Sequence, residues 1–316
     1  MSRRTMTSVV IPTFNRVCYL RDALDSITAQ SCGDYEIIVV DDGSTDGTAE
    51  MVSAHPAGVR LIRQQNSGPA AARNSGIRNA RGEFIAFLDS DDLWHREKLA
   101  RQLAFFRANP AIGLVATAYE TTGGQGEARD EVFLSERDLR TDRRRLAKNI
   151  FATSSVMVKR SCFDSAGLFN EQLRFAEDWD MWLRILDRYD YGYLPEVLLR
   201  YRYHGANTTA ASWHDNMRDW RKVIDMHSTG GTLIGSAILK RRRLSWLYVN
   251  QAVTFRGTDP RLERKYLLAS IAAWPFSMPG RYSAIVRGLS RYTPLAAAQA
   301  LPDRQPPGGD HHVHQQ

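Results

Sequence analysis

The first 92 residues alternate between short apolar runs and longer stretches whose apolar positions return every three or four residues. Ser8-Val9-Val10-Ile11-Pro12 is β-branched and ends at a proline, which predicts a strand, and Leu20, Leu24 and Ile27 behind it fall at helical spacing. Glu36-Ile37-Ile38-Val39-Val40 predicts a second strand, followed by a helix capped by Asp46 and running through Ala49, Met51 and Val52. Val59-Arg60-Leu61-Ile62 is the third. Pro69 at a first helical position and Gly82 past the end bracket a helix carrying Arg73, Asn74 and Arg78. Phe84-Ile85-Ala86-Phe87-Leu88 is the fourth strand, and it runs straight into Asp89-Ser90-Asp91-Asp92. Such alternation predicts an α/β protein with a parallel, doubly wound sheet.

Further along, Leu93 to Asn109 reads as a helix with Leu99, Leu103 and Phe106 on one face and Pro110 ending it. Ile112 to Ala116 and Thr153 to Arg160 read as strands; Ser161 opens a short helix that stops at Gly167, and Leu198 to Tyr203 alternates as another strand. From residue 213 the period is helical, through Trp220, Val223 and Ile224, then Leu244, Leu247 and Tyr248, then Tyr266 to Ala273. Residues 121–145 are Gly-rich and then charged, ending in Arg143-Arg144-Arg145, and read either as a mobile loop over a site or as a solvated excursion. Residues 302–316, with Pro306-Pro307-Gly308-Gly309 and three histidines, are expected to be disordered.

Composition narrows the class. A chain of 316 residues, 43% hydrophobic, can bury the core of one large or two smaller domains. Cys18, Cys32 and Cys162 are odd in number and unpaired in spacing, which favours a reducing cytoplasm over a disulfide framework. The apolar run behind Arg3 and Arg4 stops at Pro12, short of a signal-peptide core, and no run approaches the roughly 20 apolar residues of a membrane span. A net charge of +7 admits an anionic partner without choosing among nucleotide, phospholipid and nucleic acid.

In doubly wound sheets ligands bind beyond the carboxyl ends of the strands, and three polar loops fall there: Pro12-Thr13-Phe14, Asp41-Asp42 and Asp89 to Asp92. The crowded carboxylates of Asp89, Asp91 and Asp92 repel one another, so a cation between them is the natural compensation; few hard oxygen ligands suit Mg²⁺ or Mn²⁺ with open positions for phosphates. A polar turn or helix cap is the alternative. Phe14 reads as a stacking platform for a base or as core, and Asp42 as an acceptor for base or ribose or as a cap. Arg73 reads as a diphosphate partner or as a solvated helix residue. Glu177-Asp178-Trp179-Asp180 is the second acid-rich stretch, and acids at a helix start also serve as caps and dipole partners.

SVVIPTFNR, VVDDGSTDGT, NSGPAAARNSGI and FLDSDD, in this order and at these separations, resemble the family 2 glycosyltransferases of the GT-A fold. The resemblance covers about two-thirds of the chain, to Ser212. It implies a GT-A type Rossmann-like mixed sheet flanked by helices: residues 1–212 form the transferase domain, with 1–92 binding nucleotide and 93–212 supplying acceptor site and base. A helical region, 213–301, and the tail follow. The implied activity is inverting, non-processive transfer from a nucleotide-diphospho-sugar to an acceptor hydroxyl, with Mg²⁺ or Mn²⁺, in polysaccharide, lipopolysaccharide or other glycoconjugate synthesis.

Residue by residue, the resemblance assigns Asp42 to the base, Arg73 to the diphosphate region, Asp91 to the ribose side and Asp92 to the metal. Asp89 completes the D-x-D, and Asp178 becomes the general base, with Glu177 or Asp180 as the fallback. Pro12, Thr13, Phe14, Asp41, Asn66, Gly68 and Ser90 join the donor site. An R-x-H resembles Arg202-Tyr203-His204 and brings His204 to the metal or diphosphate, against its reading as a structural histidine. The implied partners are a UDP-, GDP- or dTDP-sugar and a glycan or lipid-linked acceptor, with peripheral contact to the inner face of a membrane as an open reading of the basic 240–287 stretch, and no nucleic acid.

Rival classes fit less well. Asp41 and Asp42 are adjacent, where aspartyl-phosphate phosphatases need a D-x-D. No Gly-rich basic loop follows the first strand, as a sugar-nucleotide pyrophosphorylase would want, and no tryptophan follows an arginine, as in processive synthases. A catalytically silent nucleotide-sugar-binding module stays open.

Overall fold

The computed structural model describes residues 7–123, 128–134, 149–204, 213–228, 233–255 and 258–275. Arg143 to Arg145, Ala206, Asn207, the segment from Phe276 to Arg287 and the tail 302–316 lie outside the described residues.

The strands are β1 (Thr7–Thr13), β2 (Tyr35–Asp41), β3 (Arg60–Arg63), β4 (Phe84–Phe87), β5 (Leu93–Trp94), β6 (Ile112–Thr122), β7 (Ala128–Val132), β8 (Met157–Lys159) and β9 (Asp190–Arg202). They form one sheet in the order β3-β2-β1-β4-β8-β6-β9-β5, with β7 on β6. β1 to β4 run parallel, as the alternation predicts, but β8 joins β4 antiparallel and the remainder is mixed. The sheet is therefore of the mixed kind expected of GT-A rather than a wholly parallel one.

Side-chain alternation along the strands sorts residues onto two covered faces. Val9, Ile11, Phe84, Ala86 and Leu88 face one core with Leu20, Leu24 and Ile27 of α1 (Val17–Thr28) and Leu99, Leu103 and Phe106 of α4 (Lys98–Ala108). Val10, Ile85 and Phe87 face the other, against Ile77 of α3 (Pro69–Asn79) and Trp179, Trp182 and Ile185 of α6 (Glu177–Leu186). Val9, Val10 and Ile11 are wholly buried, which is why the strand reads as a continuous apolar run. Each fully buried Leu or Ile contributes about 1.5–3 kcal/mol of transfer free energy. Two short helices, α2 (Thr48–Ser53) and α5 (Ser161–Ala166), complete this part of the chain.

Several boundaries differ from the sequence expectation. Leu93 and Trp94 are not the start of a helix but a two-residue strand, paired with Arg200 and Leu199, and helix α4 begins only at Lys98. The anchor is the Trp94 indole, which donates to the Ser154 carbonyl at 2.8 Å in a buried position. Thr153 to Ser155 coil into a 3₁₀ turn before β8. β9 starts at Asp190, earlier than its alternating segment, because it pairs with nearly the whole length of β6.

The C-terminal helices α7 (Trp213–Met226), α8 (Leu233–Thr254) and α9 (Pro260–Ala273) follow. Val223, Ile224 and Leu247 enter the same core cluster as Trp179 and Trp182, so this region packs directly on α6. No described helix is long and apolar enough to cross a membrane.

Candidate active site

The parallel register carries Thr13 opposite Asp41, so the β1 and β2 loops leave the sheet side by side. Asn15, in left-handed conformation at φ 51°, locks them together: its amide donates to the Ser44 hydroxyl at 2.9 Å and its side-chain oxygen accepts from the Thr45 amide at 2.8 Å. Phe14, next to this clasp, is left 45% exposed, which suits a stacking platform and not a core residue. Asp41 is fully buried and accepts from the Ser44 amide and the Arg63 guanidinium. Asp42 accepts from Gln64 Nε2 at 2.8 Å, the Ser67 amide at 3.0 Å and the Gly68 amide at 2.8 Å. Both acids thus shape the mouth of the cleft by holding its loops, and the Asp42 bonds place Asn66 and Gly68 beside it.

The Asp89-Ser90-Asp91-Asp92 loop turns back on itself, its Asp92 amide donating to the Asp89 carbonyl at 3.0 Å. That turn separates the acids. Asp92, expected to hold the cation, points inward and is 1% exposed; it accepts from the Ser154 hydroxyl at 2.5 Å and the Arg202 amide at 3.1 Å. Asp91, expected on the ribose side, lies 3.0 Å from His204 Nε2. The short β5–β9 pairing is what brings Arg202-Tyr203-His204 alongside the acids. Arg202 pins the junction, donating to the Asp91 carbonyl, to Asp22 at 2.7 Å and to the Tyr19 carbonyl at 2.9 Å. The Tyr19 ring stacks on His204 with centroids 4.6 Å apart.

Arg73 joins this loop to the second acid-rich stretch. Its guanidinium, 4% exposed, donates to Asp89 Oδ1 and to Glu177 Oε1, each at 2.7 Å. It therefore serves as a strut between two loops. Glu177 opens α6 after Ala176, a second non-glycine residue in left-handed conformation at φ 62°. Asp178 accepts from Asn149 Nδ2 at 2.8 Å, from the Thr153 hydroxyl at 3.1 Å and from the Trp179 amide at 2.7 Å.

The electrostatics follow from this crowding. Burial, then repulsion from Asp91 and Asp89, pushes the Asp92 carboxyl well above the ordinary carboxylate range. Asp91 is raised by burial and by Asp89, with His204 working the other way. Burial pushes Glu177 up to about 7 against the pull of Arg73, and burial likewise raises Asp178, whose three hydrogen bonds favour the charged form and oppose the shift. One carboxylate and one imidazole facing each other among excess negative charge are a donor set that fits Mg²⁺ or Mn²⁺, which take one or two protein ligands and leave positions for phosphate oxygens. Among the described residues no three His, Cys, Asp or Glu groups converge as a closed metal cage.

Hydrogen bonds thus join Asp42 to Gly68, Asp89 to Glu177 through Arg73, and Asp91 to His204, with Asp41, Asp42, Arg73, Asp92 and Glu177 buried and Phe14 exposed. Sequence reasoning missed Ser154, which also accepts from the Asp89 amide at 3.0 Å, and missed Tyr19, Asn149 and Thr153. Hydroxyls crowding Thr153-Ser154-Ser155 at the mouth of an apolar strand were the available signal.

The Glycosyl transferase family 2 model matches residues 8–165. TuaG of Bacillus subtilis, a glycosyltransferase whose name assigns it to teichuronic acid biosynthesis, is 30% identical over 232 residues, which cover 71% of this chain and 90% of that one. An uncharacterized glycosyltransferase of Rickettsia felis is 34% identical over 207 residues, 65% of this chain; the chain spans about a third, 34%, of that relative's length. Among solved structures, residues 1–349 of S. aureus TarS in complex with UDP-GlcNAc superpose with a TM-score of 0.65 at 20% identity, over 85% of this chain and 81% of that one. The mannosyltransferase PcManGT of Pyrobaculum calidifontis, in complex with GDP-Man and Mn²⁺, gives 0.61 at 22% identity over 91% and 80%. These likenesses establish the GT-A fold.

Proposed function

Because the chain belongs to glycosyl transferase family 2, we propose that it moves a sugar from a nucleotide-diphospho-sugar to an acceptor hydroxyl with inversion at the anomeric carbon, in the synthesis of a cell-surface polysaccharide or related glycoconjugate. In this reading residues 1–92 bind the donor nucleotide, 93–212 supply the acceptor side and the base, and helices α7 to α9 brace them. The observation that carries it is the double grip of Arg73. One guanidinium touching Asp89 and Glu177 at 2.7 Å each links the loop after β4 to the start of α6, which supports assigning the donor's diphosphate to the first and the base to the second.

The nucleotide stacks on Phe14 and lies over the loops that Asp42 holds closed. Asp91 and His204 would hold a cation, Mg²⁺ or Mn²⁺, which when bound would supply positive charge against the donor's diphosphate. Arg73 keeps Asp89 fixed beside them. Asp178, half-buried and raised in pKa, takes the proton from the acceptor hydroxyl as that oxygen attacks the anomeric carbon from the face opposite the diphosphate. Asn149 and Thr153 aim the carboxylate, so one displacement inverts the centre. The donors bound by the structural relatives, UDP-GlcNAc in TarS and GDP-Man in PcManGT, make uridine and guanosine diphospho-sugars the first to test.

The experiment is Asp178→Asn assayed by nucleotide release from a panel of UDP-, GDP- and dTDP-sugars with Mn²⁺. The variant should bind nucleotide as the parent does and lose transfer by a factor of roughly 10² or more. Near-normal turnover removes Asp178 as base. Absence of turnover by the parent with every donor, alongside retained nucleotide binding, would favour a binding module.

A further inference from the structure

The base-bearing helix is approached from the far side by residues that lie outside the matched family region, 8–165, and beyond the motif pattern that ends at Ser212. Asp219 of α7 is fully buried. One of its oxygens accepts from the Arg174 amide at 2.9 Å and the Phe175 amide at 3.3 Å; the other accepts from Lys222 Nζ at 3.1 Å and Arg218 Nε at 3.3 Å. Those two amides immediately precede Ala176, whose left-handed backbone turns the chain into Glu177 and Asp178.

A non-glycine residue in that conformation costs on the order of 1–3 kcal/mol, so the surroundings must impose it. The clamp is reinforced nearby. Trp220 packs on Trp179 at 5.0 Å between centroids and stacks on Trp246 at 5.6 Å, and His227 Nε2 meets Asp180 Oδ1 at 2.7 Å. Arg243, almost wholly buried, donates to the His227 carbonyl at 2.7 Å. Burial works to raise the Asp219 pKa, but the hydrogen bonds from Lys222, the two amides and Arg218 together bring it below the ordinary value, as suits a fixed anion.

We propose that Asp219 is a positioning residue for the transfer reaction: by holding the Arg174 and Phe175 amides it fixes the turn through Ala176 from which the base projects. The inference rests on Asp178 being that base. Without the Asp219 carboxylate the buried Phe175 amide and the half-buried Arg174 amide lose their partner, and the turn relaxes to find others. A shift of about 1 Å in a reacting group costs on the order of 10²-fold in rate. Binding of the nucleotide, on the opposite side of Arg73, is untouched by such a shift.

The test compares the full chain with its Asp219→Ala, Asp219→Asn and Asp178→Asn variants. Amide hydrogen exchange is read throughout, and turnover is read as nucleotide release from UDP-N-acetylglucosamine and GDP-mannose with Mn²⁺. In Asp219→Ala, Arg174, Phe175 and Asp180 should lose protection while β1, β2 and β4 keep theirs. For any donor turned over, kcat should fall roughly 10- to 100-fold with KM held within about twofold. Asp219→Asn keeps an acceptor oxygen and should restore most of both.

Unchanged protection at Arg174 and Phe175 in Asp219→Ala overturns the proposal. So does full kcat despite lost protection, or a fall in kcat that comes with a parallel rise in KM and loss of protection across the sheet. An inactive Asp178→Asn beside a fully active Asp219→Ala sinks this inference alone, whereas a fully active Asp178→Asn sinks the assignment of the base.

Discussion

Arg73 and Glu177, 104 positions apart in the chain, meet at 2.7 Å with the arginine side chain 5% and the glutamate side chain 10% exposed. The second arm of the same guanidinium holds Asp89. Desolvating these charges is expensive, and only the full set of partners offsets it. Arg73→Met should therefore lower unfolding stability by about 3–5 kcal/mol, because it strands Glu177 in a buried position. Arg73→Lys should recover only part, since a point charge cannot span both carboxylates as a planar fork does. Denaturant titration of the three proteins checks both statements.

The first 92 residues were legible because their physics is local. Val9-Val10-Ile11 and Ile37 to Val40 are buried on both faces of a parallel sheet, so burial shows as an uninterrupted apolar run. Asp41 marks where the second of those runs stops, and Pro69 marks where helix α3 begins. The second half resisted because its elements are defined by partners far along the chain. Leu93 and Trp94 become a strand only through Arg200 and Leu199, and no nearby residue signals that.

The hydrogen bonds on Asp178 set its proton affinity, and their removal has a definite sign. Burial raises its pKa, while Thr153 and Asn149 donate to the ionised form and hold it down. A general base works only when ionised, so kcat rises with pH through its pKa. Asn149→Ala and Thr153→Val should each raise that pKa further and move the acid limb of the kcat profile to higher pH, with donor KM little changed. A profile of kcat against pH that spans the acid limb reads the direction directly.

For the candidate site, the types of residue were legible and the directions of their side chains were not. Asp91 and Asp92 are neighbours in sequence with equal claims on a cation, yet the i to i+3 turn at Asp89 sends one outward to His204 and the other inward to Ser154. The burial of Arg73, which excludes its reading as a solvated helix residue, could not be seen because its two carboxylate partners lie 16 and 104 positions away. Side-chain direction at a turn and long-range pairing are three-dimensional facts that spacing rules do not carry.

Those directions predict separable losses. Asp91→Asn and His204→Ala should abolish the extra thermal stabilisation that Mn²⁺ adds to UDP or GDP binding; the melting temperature of the protein alone should change little in Asp91→Asn and fall by a few degrees in His204→Ala, which loses a buried ring stacked on Tyr19. Asp92→Asn should do the reverse: it disturbs the bonds from Ser154 and the Arg202 amide and lowers melting by several degrees, yet keeps a manganese increment. Thermal-shift curves with nucleotide, with and without Mn²⁺, separate the two patterns. An increment lost in Asp92→Asn and kept in Asp91→Asn would return the cation to Asp92.

Beneath the donor loops, helix α3 lies so close on β1 that a Cβ at Gly76 would sit 2.3 Å from Val10 Cγ1 and 3.2 Å from Val10 Cβ. In an open helix Gly→Ala gains about 1 kcal/mol from propensity. Here Val10 is fully buried in a strand bonded on both sides, so neither partner can retreat and overpacking costs about 1–3 kcal/mol. Gly76→Ala should therefore be destabilising on balance. Val10→Ala opens a cavity and should also be destabilising on its own. In the double variant the new methyl fills space the valine vacated, so its loss should be smaller than the sum of the two single losses by at least about 0.5 kcal/mol, the coupling expected of residues in contact. Simple additivity in chemical denaturation would mean the helix rides higher on the sheet than a 2.3 Å approach requires.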